Sequence, residues 1–155
     1  MDRMDFAKSV SRLRAIETKL LDKTKIERLK DASSLDEVIR ILGETEYAAA
    51  ASRMKNPEDY EKVLSEELKN LYQLMYELTP DKKIIDLFSL RYDYHNIKVI
   101  LKGKLSGKNF DDMLIYVGTI PAQKLLDCIK NSDYRDLDPL FREAIESVEI
   151  DYQET

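Results

Sequence analysis

Residues 91–104 read RYDYHNIKVILKGK, and the reading of this stretch decides both the fold and the class of protein. It holds the only histidine of the chain, His95, beside Asp93, Asn96 and two tyrosines. Apolar positions recur at helical spacing. Leu87, Leu90, Tyr94, Ile97 and Leu101 form a heptad-like stripe, and Ile84, Ile85, Phe88, Tyr92 and Val99 widen it. So wide an arc predicts a central helix with neighbours on several sides. Lys82, Asp86, Ser89, Asp93 and Asn96 are left for one narrow wet face. Along the edge of the arc, Arg91, His95, Lys98 and Lys102 recur at i, i+4, i+7 and i+11. Such a basic stripe is expected to meet carboxylates on a facing helix, because an unpaired buried charge is costly.

The flanking sequence is helical in the same way. The 155 residues suit one domain, with 43% apolar and 35% charged residues, four Gly and four Pro. The stretch FAKSVSRLRAIETKLL places Phe6, Val10, Leu13, Ile16, Leu20 and Leu21 on one face, with Ser9, Arg12 and Lys19 on the wet side. A short helix is expected around Ile26 and Leu29. Ser34 with Glu37 reads as a capping box, and Gly43 as the stop of that helix. Thr45 caps a short helix through Ala48–Ala51, whose small side chains permit close approach. Asn56-Pro57 and Thr79-Pro80 each read as cap plus first-turn proline, opening helices over 57–78 and 80–102. The first of these turns Tyr60, Val63, Leu64, Leu68, Leu71, Met75 and Leu78 to one apolar face. The short connection between the two predicts an antiparallel pair. GKLSGK (103–108) reads as a solvated loop, and 109–118 as a short helix or irregular turn. The last two helices cover 121–130 and 139–152, the second capped by Asp138.

Four segment pairs recur in the same order, about 82 to 87 residues apart: LRAIETKLL with IKVILKGKL, SLDEVIRIL with TIPAQKLLD, TEY with SDY, and NPEDYEKVL with DPLFREAIE. Shared order favours duplication over coincidence. The expected organisation is a first helical unit over 1–105, including the helix pair, and part of a second, incomplete unit over 106–155. The helix from Pro139 has no following partner, so the chain reads as a piece of a longer one. Leu140, Phe141, Ile145 and Val148 are then expected to be partly uncovered and to promote self-association.

Composition excludes several classes. A net charge of −5 without an extended basic patch disfavours nucleic acid. A single cysteine, Cys128, allows no intrachain disulfide and fits a reducing compartment. The N-terminal MDRMDFAKSVSR is charged and lacks the apolar core of a secretory leader, and no run is apolar enough to span a membrane. No phosphate-cradling glycine motif is present. Asp93 lies about 160° around the helix from His95, so the two do not face each other. One histidine and one cysteine are too few for a zinc site. The reading therefore assigns no catalytic, cofactor-binding or metal-binding residue, expects no cofactor, and takes His95 as a structural histidine. Residues alone leave open a helical-repeat interaction adaptor and a small hydrolase using His95.

The segment RYDYHNIKVILKGK resembles the Asp-x-x-Asn-(Leu/Ile)-Lys segment of the C subunit of V-type (archaeal-type) ATP synthases, equivalent to the d subunit of eukaryotic vacuolar ATPases. The start of the chain is similar to that family's N-terminal part: an arginine-bearing first helix, a paired leucine, a Ser-Leu-x-Glu helix, then Thr-x-Tyr. GTIPAQKL belongs to the same resemblance, which runs through most of the chain. It implies an all-α helical bundle of antiparallel pairs, a fragment of a three-unit funnel. It also implies a non-catalytic rotor adaptor between the central-stalk subunits and the membrane proteolipid ring. Such an adaptor couples rotation to proton or sodium transport, peripheral to the cytoplasmic face of the membrane. Asp93, Asn96 and Lys98 match the motif positions and are carried over as structural.

Overall fold

The computed structural model describes residues 3–153; among them are eight α-helices and no strand. The chain divides into two compact units, Met1–Lys82 and Lys83–Thr155.

The first unit opens with a 3₁₀ turn, Arg3–Phe6, leading into α1 (Ala7–Glu17). Asp22 caps α2 (Lys23–Asp31) by accepting the Lys25 N–H at 2.8 Å. Ser34 caps α3 (Leu35–Gly43), its hydroxyl accepting the Glu37 N–H at 3.3 Å. The returning bond differs from the expected box. Glu37 accepts from the Ser33 backbone at 3.0 Å, one residue outside the cap. α3 stops at Gly43 as expected, and Gly43 keeps a negative φ there. Thr45 bridges onward, donating to the Leu42 carbonyl at 2.6 Å and accepting the Tyr47 N–H at 3.1 Å. The short α4 (Ala48–Ala51) then packs against α3 and α5 (Tyr60–Leu78), with Ala50 and Ala51 buried. At the entry to α5, the Asp59 carboxylate accepts the Lys55 and Asn56 N–H groups at 3.1 and 3.0 Å. Thr79 closes α5 in extended geometry and does not cap the next helix as expected.

Among the described residues of this unit, the buried side chains are few: Ser9, Ile41, Ala50, Ala51 and Leu78. Ser9, read as wet, is buried because its hydroxyl donates to the Leu78 carbonyl, an orphan acceptor at the end of α5. Of the face expected on α5, Tyr60, Leu64 and Leu71 are exposed and only Leu78 is buried.

The second unit is built on α6 (Lys82–Ser106), which takes in most of the segment read as a loop. It ends at Gly107, whose φ of 66° sets a left-handed stop, with the Lys108 N–H reaching the Gly103 carbonyl at 3.1 Å. A 3₁₀ turn, Asp111–Met113, and an irregular stretch lead to α7 (Ala122–Lys130). That helix closes with the same device. The Asp133 N–H reaches the Cys128 carbonyl at 2.9 Å, and Ser132 takes the left-handed position at φ 54°. Asp138 accepts the Leu140 N–H at 2.9 Å and opens α8 (Pro139–Gln153). Ala122, Leu125, Leu126 and Ile129, at i, i+3, i+4 and i+7, turn one face of α7 into the core. They meet Ile97, Ile100 and Leu101 of α6, and Phe141 and Ile145 of α8. Phe141 and Ile145 are thus core residues, and not the uncovered surface expected of them; Leu140 and Val148 stay exposed. The division between the compact units falls at Lys82/Lys83.

Candidate functional site

The most conspicuous chemistry of the chain lies on one stripe of α6, where Ser89, Asp93 and Asn96 are completely buried. This inverts the expected wet face. Leu87, Phe88 and Tyr94, read as inward, are exposed, although the Tyr94 ring meets the edge of Phe141 at 5.0 Å. The physical reason is the irregular stretch after Met113, whose backbone has no ladder of its own and must find partners elsewhere. Asp93 Oδ2 accepts the Thr119 N–H at 3.0 Å and the Thr119 hydroxyl at 2.6 Å, and Oδ1 accepts the Ile120 N–H at 3.0 Å. Asn96 pairs with Ile115 in both directions. Its Nδ2 donates to the carbonyl at 2.8 Å and its Oδ1 accepts the N–H at 2.9 Å. One helix face thereby clamps residues 115–120 and fixes the approach to α7. Gly118 completes the fit, since a Cβ there would overlap Asp93 Oδ1 and stand 3.0 Å from its Cγ.

His95 points away from this clamp and donates from Nε2 to the Met113 carbonyl at 3.0 Å. No nucleophile or acid–base partner accompanies it in that bond. Of the basic stripe, Arg91, Lys98 and Lys102 are exposed. None has a carboxylate within ion-pairing distance among the described residues, so the expected acids are missing. Arg91 lies 4.9 Å from the Tyr92 ring centre, where an exposed cation interacts favourably with the π face. Among the described residues, no group of three or more His, Cys, Asp or Glu side chains is arranged to hold a metal ion. Among the same residues, no helix is long and apolar enough to cross a membrane.

A second polar cluster involves the segment read as a loop. The Lys104 ammonium donates to Glu149 Oε1 at 2.6 Å and Ser132 Oγ at 2.7 Å, and the Tyr134 hydroxyl donates to the same Glu149 oxygen at 2.8 Å. Burial pulls the Lys104 pKa down, but the bonds to Glu149 and Tyr134 outweigh it and leave it raised. Burial, then the bond to Glu149, raises that of Tyr134. The sequence signals for these groups are faint: a Gly-Thr pair just before a helix-opening proline, and a Lys-Gly-Lys that continues a helix.

Fold and site together define an all-helical scaffold in which the buried Asp93 and Asn96 are engaged by its own backbone. The chain belongs to the ATP synthase (C/AC39) subunit family, whose profile matches residues 9–155. It is similar to the C subunit of the A-type ATP synthase of Methanocaldococcus jannaschii, at 33% identity over 134 residues, 81% of this chain and 34% of that one. It is similar also to the C subunit of the V-type sodium ATPase of Enterococcus hirae, at 31% identity over 117 residues, 76% of this chain and 35% of that one. The chain spans about a third of the length of these relatives. No solved structure matches it.

Proposed function

We propose that the protein acts as a non-catalytic adaptor of a rotary, ion-translocating ATPase. In this reading it links central-stalk subunits to the membrane proteolipid ring on the cytoplasmic side and couples rotation to proton or sodium movement. The observation that carries the proposal is the family match over residues 9–155, which includes the Asp93-x-x-Asn96-Ile97-Lys98 segment. The geometry supports it, because Asp93 and Asn96 engage backbone groups and leave no reactive atom facing a substrate. The two compact units are then copies of one ancestral helical unit, a reading supported by the nine-residue α3 and α7 at corresponding places.

The test is co-elution of this chain with purified central-stalk subunits and with detergent-solubilised proteolipid ring of an A/V-type ATPase. Co-elution with at least one is expected. A folded chain that elutes apart from both overturns the proposal in favour of an unrelated helical adaptor. Turnover by the isolated chain that is lost in a folded His95→Gln variant overturns its non-catalytic part.

A further inference from the structure

We infer that the groove along α6 facing α8 is a docking site for an acidic, amphipathic helix of another polypeptide. The groove encloses about 580 Å³. Its walls include Phe110, Met113 and Val148, and its rim carries His95, Lys98 and Lys102. Met113 is 54% exposed and Val148 45% exposed, so apolar surface lies open there. Lys98 and Lys102 are exposed at the rim with no carboxylate in reach among the described residues, and Arg91 extends the same face by two turns. An imidazole carries no negative charge, so His95, which donates from Nε2 to the Met113 carbonyl, does not offset the rim lysines. On α8, Glu149 is paired with Lys104 at 2.6 Å.

Charge complementarity selects the occupant. In a chain of net charge −5, three exposed cations in register on one helix face form a local exception. The rise from Arg91 to Lys102 is about 16 Å of helix, roughly three turns. A partner helix of that length can set apolar anchors at i, i+3, i+4 and i+7 into the groove and align carboxylates with the rim. The rim lysines then govern selectivity and the salt dependence of association, and the apolar walls hold the complex. The inference does not depend on the assembly reading above, and its test needs no component of an ATPase.

The probe is a fluorescein-labelled peptide of four to five helical turns with leucines on one face flanked by glutamates; a control has lysines for the glutamates. Fluorescence anisotropy with the whole chain should show saturable binding of the acidic peptide at low salt. A Lys98→Glu/Lys102→Glu variant, its fold checked by circular dichroism, should bind at least about tenfold more weakly. Hydrogen exchange should slow across residues 98–113 when the peptide is present. Should the reversed variant misfold, Lys98→Gln/Lys102→Gln and Val148→Asp are expected to weaken binding in the same direction. Equal binding of the acidic and basic peptides, or none of either, overturns the inference. So does a concentration-dependent dimer of the chain that Val148→Asp dissociates, which assigns the groove to a second copy. Preferential binding of anionic vesicles through Lys98 and Lys102, without peptide binding, assigns it to a lipid surface and likewise overturns it.

Discussion

At the residue scale, one carboxylate organises an entire segment. Asp93 is wholly buried and accepts two N–H groups and one hydroxyl. Asp93→Asn keeps the shape but turns an amide donor toward donors. The expected cost is about 2–3 kcal/mol, as for a charged hydrogen-bond group lost in the interior, and a urea denaturation curve checks it. Gly118→Ala attacks the same clamp from the other side, and its Cβ has no room beside Asp93. A loss of about 1–3 kcal/mol is expected, in the range of overpacking. Asp133 offers a contrasting surface case. Its side-chain and backbone bonds to Arg135 lower its pKa to about 2. A group with a lowered folded pKa contributes stability above the unfolded value, and loses it as pH falls through the folded one. The window here runs from about 4 down to about 2. Carbon-detected NMR titration should place the Asp133 midpoint near the lower end, and Arg135→Gln should move it back up. An unchanged midpoint in that variant would reject the pairing.

At the element scale, two helix ends make opposite predictions from the same residue type. Gly107 holds φ at 66° with open space around it, so Gly107→Ala costs conformational strain alone, about 1 kcal/mol. Gly43 sits in ordinary helical geometry with equally open space, so Gly43→Ala should stabilise by about 0.5–1 kcal/mol. Thermal melts of the two variants should shift in opposite directions. The Lys104–Tyr134–Glu149 cluster ties α6 to α8 and to the turn after α7. Lys104→Met leaves Glu149 without its ion-pair partner, and about 1–3 kcal/mol should be lost at neutral pH. Both Lys104 and Tyr134 have raised folded pKa values, so their contribution is present below about pH 10 and fades as pH rises through those values. Alkaline destabilisation should therefore be shallower in Lys104→Met than in the parent.

At the scale of the molecule, the core is unevenly distributed. The second unit gathers Ile97, Leu125, Ile129 and Ile145 with their neighbours into one apolar cluster, whereas among the described residues of the first the buried apolar side chains are Ile41, Ala50, Ala51 and Leu78. Opening free energies follow local burial. Amides of α7 should exchange much more slowly than those of α1 and α2 under native conditions, and comparable rates in both places would contradict this distribution. Such unevenness also argues against treating a single unfolding midpoint as one equilibrium constant.

The helical class, the helix sequence and most boundaries were legible in residues 6–152, because cap residues, prolines and the 3.6-residue period act within a few neighbours. The motif Asp93-x-x-Asn96 was legible as well. What the linear pattern could not decide was which way α6 faces. Its apolar residues surround almost the whole helix, so periodicity names no single inner side. The choice fell to a segment 19 to 27 residues away, whose unpaired N–H groups drew Asp93 and Asn96 inward and left Leu87 and Phe88 outside. Ser9 moved inward for the same reason, toward the end carbonyl of α5. Local sequence determines where helices start and stop; only the tertiary structure decides which polar side chains are buried, because that depends on backbone groups left without partners far along the chain.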